Sequence, residues 1–411
     1  MKVEILVNNS ATARARYVSW APSPVRIRLS DINGAPPGVL PVPVTVSAAT
    51  SAIGGDLVFF STAGVAPQAS LSLRLPRNGS STTFFVAGKF GRASLADRDV
   101  SIVVKSGTTT FGTLPLMVRI RKDATQLTAT ERDRFVAAIA QLNNQGTGRF
   151  ADFRNMHVSA ASPEAHGNAG FLPWHRAYLL DLERELQNID PSVTLPYWRF
   201  DRPAPGLFTP AFLGSSDSLG TVSFSPTNPL QFWTTDGVLG INRRPLFNTT
   251  TGNASGRSEA QTLAIGNDYA TFRSMEGNPH GLAHTSFGGS ISSIPTAVKD
   301  PLFFLLHANV DRLWAKWQRT LGRFDPAVVT SFDSNGVSGN RIGHNLADTM
   351  WPWNGIVTPP RPSTAPGSAL AGSACVSAPG PQPRVRHCLD YQGTVANGSR
   401  LGFDYDDVRF A

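Results

Sequence analysis

The sequence predicts two domains: an all-β sandwich of immunoglobulin-like character over residues 1–117, then a mainly α domain over residues 118–411, built on a four-helix bundle with long loops. Two observations carry this. Up to about residue 120 the apolar residues fall in short or alternating runs separated by turn signals. Beyond that point they recur at helical spacing, and every histidine of the chain lies there.

In the first region, Val3-Glu4-Ile5-Leu6-Val7, Val25-Arg26-Ile27-Arg28-Leu29, Leu71-Ser72-Leu73-Arg74-Leu75 and Val100-Ser101-Ile102-Val103-Val104 read as strands. Asn33-Gly34, Asn78-Gly79 and Ser106-Gly107 read as turns between them. Nothing in this region carries chemistry, and packing or partial cover of a site elsewhere is its expected role.

The helical pattern opens at Thr128-Ala129-Thr130-Glu131, a Thr with Glu three residues on, and ends near Leu142. Three more helices are expected over 172–187, around 269–284 and over 302–318, the last after Asp300-Pro301. The stretches 202–262 and 354–385 are rich in Gly, Pro, Ser and Asn, and loops of such length are functional or tied down by packing.

The 411 residues are 41% hydrophobic and 16% charged, which places the chain among globular proteins and outside the disordered class. A net charge of +8 invites a polyanion partner, but the Lys and Arg are scattered and form no stripe interleaved with aromatics, so no nucleic-acid partner is expected. No apolar run reaches the roughly 20 residues of a membrane span, so no membrane partner is expected either. The opening Met1–Asn9 has too short an apolar run for a secretory signal, and the expected location is cytoplasmic. Cys375 and Cys388 stand apart from the histidines, so cysteine ligation is not expected; a disulfide and two free thiols both remain open.

Six of the eight histidines form two triplets, His157, His166, His175 and His280, His284, His307. On a helix His280 and His284, four apart, project from one face, so one metal ion can bridge them. Three neutral imidazoles suit copper, and zinc accepts them as well. A zinc protease is disfavoured because Gly281 follows His280 where such a helix needs Glu. His344 and His387 fit no triplet and are read as structural or exposed.

Phe171-Leu172-Pro173-Trp174-His175-Arg176-Ala177-Tyr178-Leu179 with Glu183, and Asp300-Pro301-Leu302-Phe303-Phe304-Leu305-Leu306-His307-Ala308-Asn309-Val310-Asp311-Arg312-Leu313-Trp314, resemble the first and second copper motifs of the tyrosinase, catechol oxidase and hemocyanin superfamily. The likeness extends over roughly 118–411, with Leu401-Gly402-Phe403-Asp404-Tyr405 resembling the segment that closes the catalytic domain. It implies two copper ions per chain, one on each triplet, with dioxygen bound between them and a small phenolic substrate oxidised. It also gives Glu276 the place of an acidic residue that holds a water near the site. By its position Asp311 is expected either to accept the free N–H of His307 or to hold Arg312.

Several residues depart from the family pattern. Leu306 precedes His307 where many members carry a further histidine, and Glu164 stands where plant and fungal members carry a cysteine joined to a histidine. Gly281 replaces the Asn of many monophenol hydroxylases, and Ile294 takes the place of a bulky gating residue. The expected activity is therefore oxidation of o-diphenols or o-aminophenols to quinones. Monophenol hydroxylation is the alternative, and reversible oxygen carriage a more distant one.

Overall fold

The computed structural model describes residues 1–31, 41–158, 162–254, 256–333, 342–356, 384–395 and 400–410. The Asn33-Gly34 turn and Cys375 lie outside them. The chain divides into two compact units, one of Met1–Ile120 with Gly402–Phe410, the other within Arg121–Leu401.

The first unit holds β1 (Lys2–Val7), β2 (Tyr17–Val18), β3 (Ser23–Asp31), β4 (Val42–Thr50), β5 (Leu57–Phe60), β6 (Ser70–Leu75), β7 (Thr82–Gly88), β8 (Val100–Ser106) and β9 (Thr109–Val118). They form a sheet ordered β1-β3-β7-β5 and a sheet ordered β2-β9-β8-β4-β6. Alternation decides which face is buried: in β4, Val42, Val44 and Val46 point inward while Pro43 and Thr45 face solvent. These valines meet Val25, Ile27, Phe84 and Val86 of the other sheet in one core, each full burial contributing roughly 1.5–3 kcal/mol. All four strands read from the sequence are present. The connectivity departs from the immunoglobulin pattern at one point, because β5 precedes β6 and the chain visits the first sheet before β6 pairs with β4.

The segment from Gly402 onward, which the sequence reading attaches to the second domain, belongs to this first unit. Asp404 Oδ2 accepts the Trp20 N–H at 2.9 Å, and the Trp20 indole N–H donates to the Tyr405 carbonyl at 2.8 Å.

The second unit has a helical core: α1 (Ala129–Asn143), α2 (Phe150–Met156), α3 (Phe171–Ile189), α4 (Glu259–Leu263), α5 (Tyr269–Phe272), α6 (Leu282–Thr285) and α7 (Leu302–Leu321). Thr128 and Glu131 close the expected capping box on α1. That helix stops where Asn144 turns left-handed at φ 43°, and His157 caps the C-terminus of the separate helix α2. The helix expected over 269–284 is also interrupted. Asn278 is extended (φ −145°, ψ 111°) and Pro279 has no N–H to donate, so α5 and α6 are joined through tighter and wider turns instead of one α-helix. The helical core thus holds three long helices, α1, α3 and α7, and a broken segment where a fourth is expected.

The long helices α3 and α7 are tied by buried charge. Arg176 donates to Asp311 Oδ1 at 2.6 Å, and Arg121 reaches both Asp311 (3.3 Å) and Glu183 (2.8 Å). At the start of α7, Asp300 pairs with buried Arg243 and accepts the Leu302 N–H at 2.9 Å. Within the 202–262 stretch, Thr234–Thr235 pairs with Val238–Leu239 and Ser215–Ser216 with Val222–Ser223. Among the described residues no helix is long and apolar enough to cross a membrane.

Candidate metal centre

Both histidine triplets assemble. The ligand atoms of His157, His166 and His175 lie within 4.8 Å of one another, as do those of His280, His284 and His307. His175 comes from α3 and His307 from α7, and their rings stack at 4.2 Å with 12° between planes, so the two triplets abut through these two helices. His166 comes from the loop after the short turn Ser162–Glu164.

Backbone carbonyls fix four of the rings. Nδ1 of His175 donates to Phe171 O (2.9 Å), that of His280 to Glu276 O (2.7 Å), that of His284 to Ile291 O (2.8 Å) and that of His157 to Ile294 O (3.2 Å). With the proton held on Nδ1, Nε2 carries the lone pair that a metal needs. Burial pushes the pKa of His157, His175, His280 and His307 well below the usual histidine value and that of His284 down to about 4, which keeps the rings neutral.

The donor set fits a metal ion. Nε2 of His157 and of His175 is buried with no hydrogen-bond partner among the described residues. In the other triplet, Nε2 of His307 sits 3.2 Å from Nε2 of both His280 and His284. His280 and His284 already place their ring protons on carbonyls, so lone pairs converge on a point that a cation would neutralise. Three imidazoles around such a point match copper, with zinc as the other divalent candidate.

Two phenylalanines that the sequence reading left without a role enclose the cluster. Phe303 stacks on His307 at 4.2 Å and lies 4.7 Å from His157, while Phe171 lies 4.8 Å from His175 and 4.9 Å from His280. Both are fully buried. Each stands four residues before a ligand on the same helix, a spacing visible in the sequence and shared by Glu276 and His280.

Glu276 takes the Gly167 N–H on Oε1 at 2.7 Å, joining the His280 segment to the loop of His166; burial raises its pKa to about 7. Gly281 has room for a side chain, since an added Cβ would meet only Glu276 O, in ordinary contact at 3.4 Å. Ile294 contributes its carbonyl to His157, and its side chain is 44% exposed. The expectation that Asp311 orients His307 is not met. His307 Nδ1 has no hydrogen-bond partner among the described residues, and the Asp311 carboxylate is directed at Arg121 and Arg176. His344, set aside as structural or exposed, is buried.

Residues 147–320 match the common central domain of tyrosinase. The chain is 37% identical over 272 residues to a tyrosinase of Streptomyces glaucescens, covering 57% of this chain and 92% of that protein. It is 34% identical over 269 residues to a tyrosinase of Streptomyces antibioticus, covering 57% and 93%. A functional unit of octopus hemocyanin aligns with 71% of this chain and 69% of its own at a TM-score of 0.46 and 20% identity.

Proposed function

The chain belongs to the tyrosinase family of copper oxidoreductases, and on that premise we propose that it oxidises o-diphenols, or the similar o-aminophenols, to quinones while dioxygen is reduced to water. His157, His166 and His175 would hold one copper ion and His280, His284 and His307 the other. The bound pair supplies the two-electron redox couple between substrate and dioxygen. Each diphenol gives up two electrons and two protons, so two are consumed for each dioxygen.

The protein's own groups perform the remaining tasks. Phe171 and Phe303 keep water from the flanks of the cluster, and the carbonyls of Phe171, Glu276, Ile291 and Ile294 hold the imidazoles in the ligating tautomer. The free oxygen of the Glu276 carboxylate is a station for a water, or for a proton leaving a phenol. The exposed side chains of Leu282 and Ile294 offer apolar surface for an aromatic ring, and the aliphatic Ile294 leaves the entrance open.

The observation that carries the preference for diphenols is the space at Gly281. A monophenol, with an ordinary pKa of about 10, needs help to lose its proton near neutral pH, and position 281 supplies no side chain to share a water with Glu276. Diphenol turnover is therefore expected to exceed monophenol turnover greatly, and Gly281→Asn, whose Cβ fits without displacing anything, to narrow the gap. The check is the initial-rate ratio on a matched monophenol and diphenol; comparable rates with no lag, unchanged by the substitution, reject the preference. Monophenol hydroxylation is the second reading, favoured by the name tyrosinase on both Streptomyces relatives. Oxygen carriage would leave catechol almost unoxidised.

A further inference from the structure

We propose that His344 is a positioning residue for the first triplet, acting with its own loop as a clasp on the segment that carries His166 and leads into α3. The proposal rests on the reading of that triplet as a copper site. Residues 165–170 contain no helix or strand, so the place of His166 depends on what holds the loop from outside. Its two ends are held from one later segment. Ile342 donates its N–H to Glu164 Oε2 at 3.3 Å, and His344 Nδ1 accepts the Gly170 N–H at 3.1 Å. Between those points, Glu276 takes the Gly167 N–H at 2.7 Å and the Tyr269 hydroxyl donates to Ala169 O at 2.5 Å.

The Gly170 N–H is one of the donors that the start of a helix leaves without an intrahelical acceptor, and Gly170 is buried. Accepting it requires His344 in the neutral form with its proton on Nε2. The contact is close: a Cβ on Gly170 would lie 2.4 Å from Gly343 O and 2.7 Å from His344 Nδ1. The loop is in turn held by Asp348, whose Oδ2 accepts the N–H groups of Gly343, His344 and Asn345 at 3.1–3.2 Å. One residue beyond Gly170, the Phe171 carbonyl orients His175. A shift at Gly170 thus acts directly on two ligands of the first triplet, and on the second triplet only through the contacts of Phe171 and His175 with His280 and His307.

The test is copper titration of full-length apoprotein with chelator competition, reading the affinity of each site, with the thermal midpoint of each apoprotein measured alongside. Wild type, His344→Ala, His344→Asn and Gly170→Ala are compared. Loss of an outer partner of a metal histidine costs about 10- to 100-fold in affinity; His344 acts one step further out, through Gly170, so His344→Ala is expected to weaken one of two copper sites by up to about 10-fold and the other distinctly less. Gly170→Ala is expected to do the same by forcing the clasp away, and His344→Asn, whose Oδ1 takes the place of Nδ1, to restore most of the loss. Two unchanged affinities in His344→Ala overturn the proposal. So does an equal fall at both sites that tracks the thermal midpoint, or a failure of Asn to rescue. Fewer than two coppers on wild type overturns the copper reading itself and this proposal with it.

Discussion

His307→Ala and His175→Ala are each expected to reduce diphenol oxidation to the uncatalysed background and to leave about one copper per chain. Each removes one of three nitrogens from a proposed copper position, and oxidation of a diphenol needs both ions because a single copper accepts one electron. The two rings stack on each other at 4.2 Å, and His307 also stacks on Phe303, so each substitution also opens space in the wall between the triplets. Metal analysis beside the oxygen-uptake rate makes the check. Turnover near the wild-type level in either variant would show that the ligand assignment is wrong.

The second large effect is on stability. Asp311→Ala leaves Arg121 and Arg176, both with fully buried side chains, without the carboxylate that both of them contact. Removing one partner of a buried ion pair costs about 3–5 kcal/mol, mostly from the charge left uncompensated in low dielectric. Arg121 retains Glu183, while Arg176 retains Gln318 and the Cys388 carbonyl and lies over the Trp314 ring, which places the expected loss at the lower end of that range. Because α3 carries His175 and α7 carries His307, each proposed as a copper ligand, copper should be retained less well as the thermal midpoint falls. A midpoint unchanged from wild type would show that this network does not hold the two helices together.

Much of this was legible in the sequence, for identifiable reasons. The alternation in β3, β4, β6 and β8 follows from a two-sheet core with one wet face per sheet, and Thr128 with Glu131 is a local signal that needs no tertiary context. The six histidines could be grouped because four of them lie on or beside helices whose spacing is readable. What escaped the reading depends on contacts distant in sequence. Asp311 stands four residues after His307, so helical spacing alone favours an interaction between them, yet two buried arginines from 121 and 176 take the carboxylate. The break at Asn278-Pro279 replaces a continuous helix although Pro279 was in plain view, because His280 and His284 keep their spacing on either reading. The attachment of residues 402–410 to the first unit rests on Trp20 bonds that span nearly the whole chain. Phe171 and Phe303 are legible by the same spacing, since each lies four residues before a triplet histidine.

A dinuclear copper oxidase is tested most directly by counting copper per chain in the fully loaded protein while following oxygen uptake with a diphenol. The expected result is two coppers per chain and sustained uptake of one dioxygen for every two diphenols oxidised, with far slower uptake on the matched monophenol. One metal ion per chain at saturation, zinc as the only tightly held ion, or two coppers with no catechol turnover would contradict it.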